Sequence, residues 1–318
     1  MRKPAPGRTV ERMFQLQTST KPQLADDPRA RLLATMPVTQ RRLHLAGVAT
    51  AVLEGGDGPP IVLLHGPGEF AATWTRVIPS LATTYRVIVP DLPGHGASDE
   101  FDGKLDGARM LAWLGELIER TCSSPPVVVG HLLGGSLAAR YAAAGQGPAI
   151  SGLVLVDTYG LGPYRPAPKF ALALVRFMAR PTPRSQRGLM RACMADLDGL
   201  RDDMGERLAT LEAYALERAR TPAAKAALRS LMPELAMPAI PAEDLERIAV
   251  PTTLIWGRED LQIRLRVAEA ASTRHGWPLQ VIDGAADDPA VEQPKSFLRA
   301  LRTALPEHTD LQEIDDER

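Results

Sequence analysis

The chain has 318 residues, of which 45% are hydrophobic and 24% charged, and its formal net charge is −1. This length can bury a large core, and the near-neutral charge predicts neither nucleic acid nor a membrane as a partner. The two cysteines, Cys122 and Cys193, lack the spacing of a metal site or a disulfide framework, so buried apolar thiols are expected. Without an apolar run of about 20 residues or the apolar core of a signal peptide, the sequence predicts a cytoplasmic protein.

Residues 1–37 are polar, contain prolines and show no sustained hydrophobic period. They predict an N-terminal arm or a disordered leader with a short helix at 30–35. Beyond residue 38, short apolar runs alternate with helical patterns. The predicted strands are 43–53, 61–64, 86–89, 127–129, 153–156, 252–256 and 279–282, and the helices among them include 71–81, 111–118 and 136–144. This alternation predicts an α/β protein with a doubly wound, mostly parallel sheet.

Strand patterns disappear between residues 162 and 247, where helical stretches alternate with proline-rich joints. The stretches are 170–179, 187–197, 205–220 and 223–231. They predict a helical lid inserted into an α/β core made of residues 38–161 and 248–305. We expect this lid to cover the carboxyl ends of the strands and enclose an apolar cavity for a small molecule. A last helix, 289–305, precedes an acidic C-terminal tail, 306–318.

A glycine-rich turn follows an apolar run at residues 127–137, in the order V-V-V-G-H-L-L-G-G-S-L. Strand, tight turn and helix in this order are typical of a nucleophile elbow, whose pattern is G-x-S-x-G. Leu132 stands where the elbow would present a serine hydroxyl. Because leucine has no nucleophilic atom, Leu132 either packs in the core or forms the apolar floor of a ligand pocket.

Five motifs occur in order along the chain. They are H-G-P-G at 65–68, D-L-P-G-H-G-A-S at 91–98, the elbow, W-G-R-E-D at 256–260 and G-A-A-D-D-P-A-V-E-Q-P at 284–294. With these motifs the chain resembles the α/β-hydrolase family over roughly residues 38–305. The resemblance implies an elbow nucleophile, an acid after a late strand, a histidine near the C-terminus and an oxyanion hole of backbone N–H groups.

Three positions depart from that family pattern. Leu132 replaces the nucleophile, and Asp287 stands where the histidine is expected. Pro67 has no N–H to donate to an oxyanion, which leaves Leu133 as the remaining donor. The loss of one donor typically slows hydrolysis by about 10²–10³. The acid position is intact at Asp260, and the three coordinated changes indicate a natural change of task.

Asp260 and Asp287 are the candidate catalytic residues. Two carboxyl groups that share a desolvated site cannot both ionise easily, so one would hold a proton near neutral pH. They would then supply a general acid and a general base without a nucleophile. The alternative for Asp287 is an ordinary solvated turn, which would leave Asp260 without this partner.

Further residues of the same motifs are candidates for substrate binding. Asp157 either caps a strand or joins the acids, Glu69 either reaches the pocket or is solvated, and Tyr159 either orients a ligand or packs in the lid. The full set is Pro67, Gly68, Glu69, His131, Leu132, Leu133, Asp157 and Tyr159. No metal and no cofactor are expected, and a small-molecule substrate is the expected partner.

Three functions are compatible with these residues. The first is a non-hydrolytic enzyme (a cyclase, lyase, isomerase or dehydratase) acting on a small, fairly apolar metabolite, for instance of bacterial secondary metabolism. The second is a catalytically inactive ligand-binding or scaffold protein, and the third an atypical hydrolase. Asp260 beside a new carboxylate favours the first, because a pocket without catalysis gains nothing from adjacent like charges. The fold alone does not decide among the three functions.

Overall fold

The computed structural model describes residues 27–103 and 106–305. Most of the predicted N-terminal arm and the whole acidic tail therefore lie outside the described residues. Helix α1, Pro28–Leu33, falls inside the segment predicted as an arm and is capped by the Asp27 side chain. This part of the arm is a packed helix, two residues earlier in the chain than the predicted one.

An eight-stranded sheet runs through the described residues. Its strands are β1 Thr39–Leu45, β2 Val48–Gly55, β3 Pro60–Leu64, β4 Arg86–Pro90, β5 Val127–His131, β6 Gly152–Val156, β7 Thr252–Gly257 and β8 Leu279–Ile282. Their order is β1-β2-β4-β3-β5-β6-β7-β8, and β2 pairs antiparallel with β1 and β4 while the other pairs are parallel. The predicted doubly wound, mostly parallel sheet is confirmed.

Helices cover both faces of this sheet. They are α2 Ile78–Leu81, α3 Gly107–Thr121, α4 Leu132–Ala144, α5 Pro168–Ala179, α6 Pro183–Cys193, α7 Leu197–Met204, α8 Glu206–Arg220, α9 Pro222–Leu231, α10 Ala242–Leu245, α11 Arg266–His275, α12 Pro289–Glu292 and α13 Pro294–Ala304, with a 3-10 helix at Ala71–Arg76 and a π-helical turn at Met232–Ala236. Helices α5–α10, between β6 and β7, make up the helical insertion. Across the described ranges, no helix has both the length and the apolarity to cross a bilayer.

The central strands are apolar throughout because both of their faces are covered. Val128 of β5 packs in a core with Trp113 and Trp256 on one side of the sheet. Its neighbour Val129 points the other way, into a second core with Phe297. The carboxyl ends of these buried strands meet at one edge, where the elbow and the late acidic residues lie.

Two element predictions are wrong in ways that turn and proline chemistry explain. The predicted strand 43–53 is a hairpin of β1 and β2, whose turn places Ala46 at φ 46° and Gly47 at φ 85°. The predicted helix 289–305 is two helices, because α12 ends at Glu292 and a proline cannot continue a helix from within.

A buried ion pair joins α1 to the second motif. Arg29 lies 2.7 Å from Asp91, and both side chains are buried. The Asp91 carboxylate also accepts the backbone N–H groups of Ala71 and Ala97. The Arg29 guanidinium lies over the ring of Tyr214 in α8, at 5.9 Å from its centroid. Helix α1 is thereby tied to both the core and the helical insertion.

Candidate functional site

The elbow retains the backbone of a nucleophile turn. Leu132 follows β5 directly, begins α4 and has φ 46°, in the left-handed region. This conformation costs a residue with a Cβ about 1–2 kcal/mol. The strain is held by hydrogen bonds on both sides, from Gly134 N–H to His65 O at 3.2 Å and from Tyr159 N–H to Leu132 O at 3.3 Å. The strained turn is thus kept although its side chain carries no reactive atom.

Close backbone contacts explain the glycines around this turn. A Cβ on Gly134 would lie 2.5 Å from the carbonyl oxygen of Leu64, and one on Gly130 would lie 2.5 Å from that of Gly134. Since both obstacles are backbone atoms, they cannot move aside without shifting β3 or the turn itself. These glycines let the elbow sit directly against the neighbouring strand.

We expect Gly134→Ala to destabilise the protein by about 1–3 kcal/mol, because the added methyl group overpacks the contact with Leu64. Urea unfolding followed by circular dichroism measures this change. Gly188→Ala in α6 is the matched control, since its Cβ meets nothing within 4 Å, and it should stabilise the protein by up to about 1 kcal/mol. Equal stability of the two variants would contradict the close packing of the elbow.

Glu69 occupies the loop that would form an oxyanion hole. Its carboxylate accepts the N–H of Gly66 at 2.7 Å and contacts His131 Nδ1 at 3.2 Å. A Cβ on Gly66 would lie 2.8 Å from Glu69 Oε1 and 3.0 Å from Leu132 Cδ1, so both side chains crowd over this glycine. A negative charge and an apolar side chain therefore stand where an oxyanion would need donors.

His131 provides positive charge at this site. Its Nε2 donates to the carbonyl oxygen of Asp287 at 2.5 Å while Nδ1 faces the Glu69 carboxylate. Because both partners are acceptors, both ring nitrogens carry protons. Burial opposes this charge, but the charge of Glu69 and its hydrogen bond raise the pKa of His131 well above 6.5. Burial likewise opposes ionisation of Glu69, yet the charge of His131 brings the pKa of Glu69 below its ordinary value.

Four aspartates lie around this ion pair at the carboxyl edge of the sheet: Asp157, Asp260, Asp287 and Asp288. Asp157, at the end of β6, accepts the N–H of Gly257, and burial followed by the charge of Asp260 raises its pKa well above 3.8. Asp260 accepts the N–H groups of Gln262 and Ile263, and burial raises its pKa to about 7 despite these bonds. One oxygen of each of these two carboxyls has no hydrogen-bond partner among the described residues.

Asp287 is buried rather than part of a solvated turn. Its backbone N–H donates to the carbonyl of Cys193, at the end of α6, and its side chain is 6% exposed. Burial, then the charge of Asp260, raises the pKa of Asp287 well above 3.8. Burial therefore favours the protonated form of the Asp287 carboxyl, whereas the charge of His131 favours the ionised form of Glu69. Environments that push two carboxyl pKa values apart are the arrangement that acid–base enzymes use.

A cavity of about 380 Å³ lies between the sheet edge and the helical insertion. Side chains of α5, α6 and α9 and of the π-helical turn form its mainly apolar wall, among them Phe170, Leu174, Phe177, Met178, Leu189, Leu228 and Met232. Its polar groups include Glu69, Tyr159, Gln262 and Asp287. This volume and this mixture of surfaces are typical of small-molecule sites.

The predicted site residues separate into two layers. Those that line the cavity are Pro67, Gly68, Glu69, Leu132, Tyr159 and Asp287. Asp260 lies behind Gln262, whose backbone N–H it binds, and acts on the cavity through the charge it exerts on Asp287. Leu133 packs in the core that contains Trp113. Across the described part of the chain, no group of three or more His, Cys, Asp or Glu residues is arranged to hold a metal ion.

Two features of the site escaped the sequence analysis. His65, His95 and His131 all stand in motifs, yet burial lowers the pKa of the first two, that of His95 to about 4, and leaves His131 as the charged one. The acid at position 69, close in sequence to the H-G motif, was the available signal for this difference. Cys193 also lines the cavity, where burial and the adjacent Asp287 raise its thiol pKa.

An elbow at the carboxyl edge of a doubly wound sheet, with a late acid and helices inserted over that edge, defines the scaffold of an α/β hydrolase. Residues 61–300 match the model of the alpha/beta hydrolase family. The chain belongs to this family, as its five motifs indicated.

Proteins that are similar to this chain in sequence are named for different functions. The chain is 36% identical over 132 residues to the magnesium-chelatase 30 kDa subunit of Rhodobacter capsulatus, covering 40% of this chain and 46% of that protein. It is 32% identical over 126 residues to the 2-hydroxy-6-oxo-6-(2'-aminophenyl)hexa-2,4-dienoic acid hydrolase of Metapseudomonas resinovorans, covering 38% and 43%. Each match spans less than half of the relative's length.

The fold is shared with solved esterases. Naproxen esterase from Bacillus subtilis superposes with a TM-score of 0.72 over 87% of this chain and 95% of its own, at 17% identity. At this identity the likeness shows the fold alone.

Proposed function

We propose that the protein is a non-hydrolytic enzyme that moves protons on a small, largely apolar substrate by means of two carboxyl groups. The observation that carries the proposal is that Asp287 and Glu69 line one cavity in surroundings that shift their pKa values in opposite directions. Isomerases, lyases, cyclases and dehydratases all need a proton removed at one atom and supplied at another. The sequence paired Asp287 with Asp260, whereas the cavity geometry favours Glu69 as the partner and Asp260 as the group that tunes Asp287.

Asp287 is assigned as the general acid. Its buried carboxyl, held protonated by burial and by the charge of Asp260, can give a proton to a leaving oxygen or to a developing carbanion. The carbonyl of the same residue is fixed by His131, and its N–H by Cys193, so the carboxyl has a defined position above the cavity floor.

Glu69 is assigned as the general base. It is ionised and exposes 23% of its side chain, so one face can meet a substrate while the other contacts His131 and Gly66. When Glu69 takes a proton, the positive charge of His131 loses its counter-ion. This makes Glu69 a mild base, suited to a substrate proton that is already acidified, for example by an adjacent carbonyl group.

A chromogenic nitrobenzisoxazole tests this assignment without the natural substrate. A carboxylate base opens the isoxazole ring of this compound by removing one C–H proton. The electron pair forms a nitrile, the N–O bond breaks, and a phenolate is released. We expect Glu69→Gln to lower the enzymatic rate at least about tenfold, as loss of a general base typically does. Asp287→Asn should lower it less, because a nitrophenolate leaves without protonation. The release of nitrophenolate is followed by absorbance.

The pH profile gives a second readout of the same prediction. With a substrate that needs both groups, the rate should rise with pH as Glu69 ionises and fall at higher pH as Asp287, whose pKa is raised well above 3.8, loses its proton. Glu259→Gln, an exposed position beside Asp260, is the control and should leave rate and profile unchanged. Wild-type rates in both Glu69→Gln and Asp287→Asn, with intact circular dichroism spectra, would refute the proposed function.

A binding role without chemistry is the second candidate. It is favoured by the relative that is named as a subunit of a magnesium chelatase rather than as an enzyme in its own right. This role requires the cavity to bind a ligand that leaves unchanged after prolonged incubation. Mass spectrometry of released ligand distinguishes it from the proposed enzyme. A hydrolase with carboxylate-activated water is the third candidate, and the family alone favours it.

A further inference from the structure

The strongly exposed large apolar side chains of the described residues all lie on the helical insertion. They are Leu172, Val175, Met178 and Met237, of which Leu172 is 51% and Val175 is 64% exposed. Three of these four residues belong to helix α5. Exposed apolar side chains that cluster on one element mark an interaction surface, whereas scattered ones do not.

Helix α5 has an apolar surface on two sides. Phe170, Leu174 and Phe177 line the cavity on the inner side. Leu172 and Val175, three residues apart, form an outer strip that faces away from the protein. Among residues of α5, Phe170 alone is fully buried, so the helix lies at the periphery of the fold.

Unpaired positive charges are concentrated in the same stretch of the chain as this outer strip. Between Asp157 and Asp196 the chain has seven arginines and lysines and no acidic residue. The exposed members without an ion pair among the described residues are Arg165, Lys169, Arg176, Arg180, Arg184 and Arg187. Only Arg191 of this run is paired, with Asp198. The whole-chain charge of −1 averages over this segregation, which is why it predicted no anionic surface as a partner.

We propose that α5 and the beginning of α6 dock onto an anionic phospholipid bilayer. Helices that lie in the plane of a membrane interface combine an apolar strip with lysines and arginines along its edge. Here the strip is Leu172 and Val175, and the edge on one side is Lys169, Arg176 and Arg180. Anionic headgroups attract such a basic segment, and the apolar strip then enters the boundary of the acyl chains.

The position of the cavity agrees with this surface. Met178 and Met237 are exposed and also line the cavity, so its opening adjoins the proposed membrane-facing strip. An apolar substrate could therefore pass from the bilayer into the cavity without crossing water. The docking itself does not depend on the proposed acid–base chemistry.

Cosedimentation with lipid vesicles tests the proposal. We expect the full-length protein to bind vesicles of phosphatidylglycerol mixed with phosphatidylcholine at least about tenfold more tightly than vesicles of phosphatidylcholine alone. Added salt should weaken this binding. Leu172→Ser/Val175→Ser should lower affinity for the anionic vesicles by about tenfold or more, because the apolar strip no longer enters the membrane.

Charge variants separate local docking from attraction by the whole protein. Arg176→Gln/Arg180→Gln should weaken binding to the anionic vesicles, whereas Arg266→Gln/Arg274→Gln, exposed arginines of α11, remove the same charge and should leave it unchanged. Equal losses in both pairs would overturn the proposal. Binding of the serine variant with wild-type affinity would also overturn it. So would a wild-type protein that does not sediment with anionic vesicles, which is the result expected if the surface instead binds an acidic protein.

Discussion

The protein should show no turnover of p-nitrophenyl esters above the rate of a matched buffer, and a serine-directed phosphonate should not label its elbow. Hydrolysis by the family mechanism needs a nucleophile, a base and two oxyanion donors. Leu132 removes the nucleophile, Asp287 replaces the expected base, and Pro67 lacks one donor. Glu69 adds a further obstacle, because its negative charge lies over Gly66, where an oxyanion would form.

A stepwise restoration ranks these obstacles. Leu132→Ser with Asp287→His should give at most weak esterase activity, although Asp260 stands beside position 287 to orient the new imidazole. Adding Pro67→Gly should raise the rate by about 10²–10³, the typical value of one oxyanion donor. Adding Glu69→Gln should raise it again, since the carboxylate charge is then removed. Initial rates with p-nitrophenyl butyrate and stoichiometric phosphonate labelling measure each step.

Two outcomes would contradict this ranking. Fast hydrolysis by the double variant would mean that the N–H of the residue at position 67 is not needed. Burst kinetics in the wild-type protein, with labelling at a residue outside the elbow, would reveal a displaced nucleophile. The single variant Leu132→Ser is the control, and without a base it should remain inactive.

Stability should fall as pH rises from about 5 to about 8. Burial raises the pKa values of Asp260, Asp288 and Glu292 to about 7, and those of Asp157 and Asp287 are raised as well. Such groups bind protons more tightly in the folded protein than in the unfolded chain. The contribution of Asp260, Asp288 and Glu292 is therefore fully present below the unfolded pKa of about 4 and is lost as pH rises through about 7. Each pKa unit corresponds to about 1.4 kcal/mol of free energy of unfolding, so several carboxyls together contribute several kcal/mol.

The ion pair of His131 and Glu69 also contributes to the dependence of stability on pH, with opposite effects from its two members. The raised pKa of His131 stabilises the fold below pH 6.5, and this contribution is lost as pH rises through the raised value. The lowered pKa of Glu69 acts in the opposite sense, since its contribution is present above about pH 4.5 and is lost as pH falls through its folded value. We therefore expect greatest stability in mildly acidic solution.

Asp260→Asn isolates one member of the cluster. At about pH 8 the variant should be more stable than the wild type by on the order of 1–3 kcal/mol, because a buried charge beside Asp157 and Asp287 is removed. Near pH 4 the difference should vanish. Urea unfolding at several pH values measures both curves, and the exposed Glu259→Gln should leave the wild-type curve unchanged. A wild-type stability that rises between pH 5 and pH 8 would refute the buried cluster.

Local sequence patterns were sufficient to predict the fold class. The apolar runs of β3, β5, β6 and β7 mark strands with two covered faces, and five glycine- or proline-containing motifs give their connections. The hairpin turn at Ala46-Gly47 was not predicted, because apolar residues continue through it. Helix α11 escaped because its pattern is short and mostly polar.

The site was predicted less completely because its chemistry depends on contacts between distant segments. The family register placed Asp287 at the position expected for the histidine, but it did not indicate the ion pair between Glu69 and His131, which lie 62 positions apart. That pair depends on the direction of the H-G-P-G-E loop, which no local pattern encodes. The charge of a buried histidine likewise follows from its partners rather than from its own motif.

The ion pair between Arg29 and Asp91 extends the protein's cooperative unit beyond the segment that defines its family. The family match begins at residue 61, yet a cation at residue 29 neutralises a carboxylate that holds the second motif in place. Chimeras that exchange the N-terminal region with that of a relative must therefore match this pair of charges, even when the junction leaves every catalytic motif intact. Residues that precede the family match at 61–300 are thus part of the packed structure of this chain. The boundaries of that match therefore do not mark where the folding unit begins.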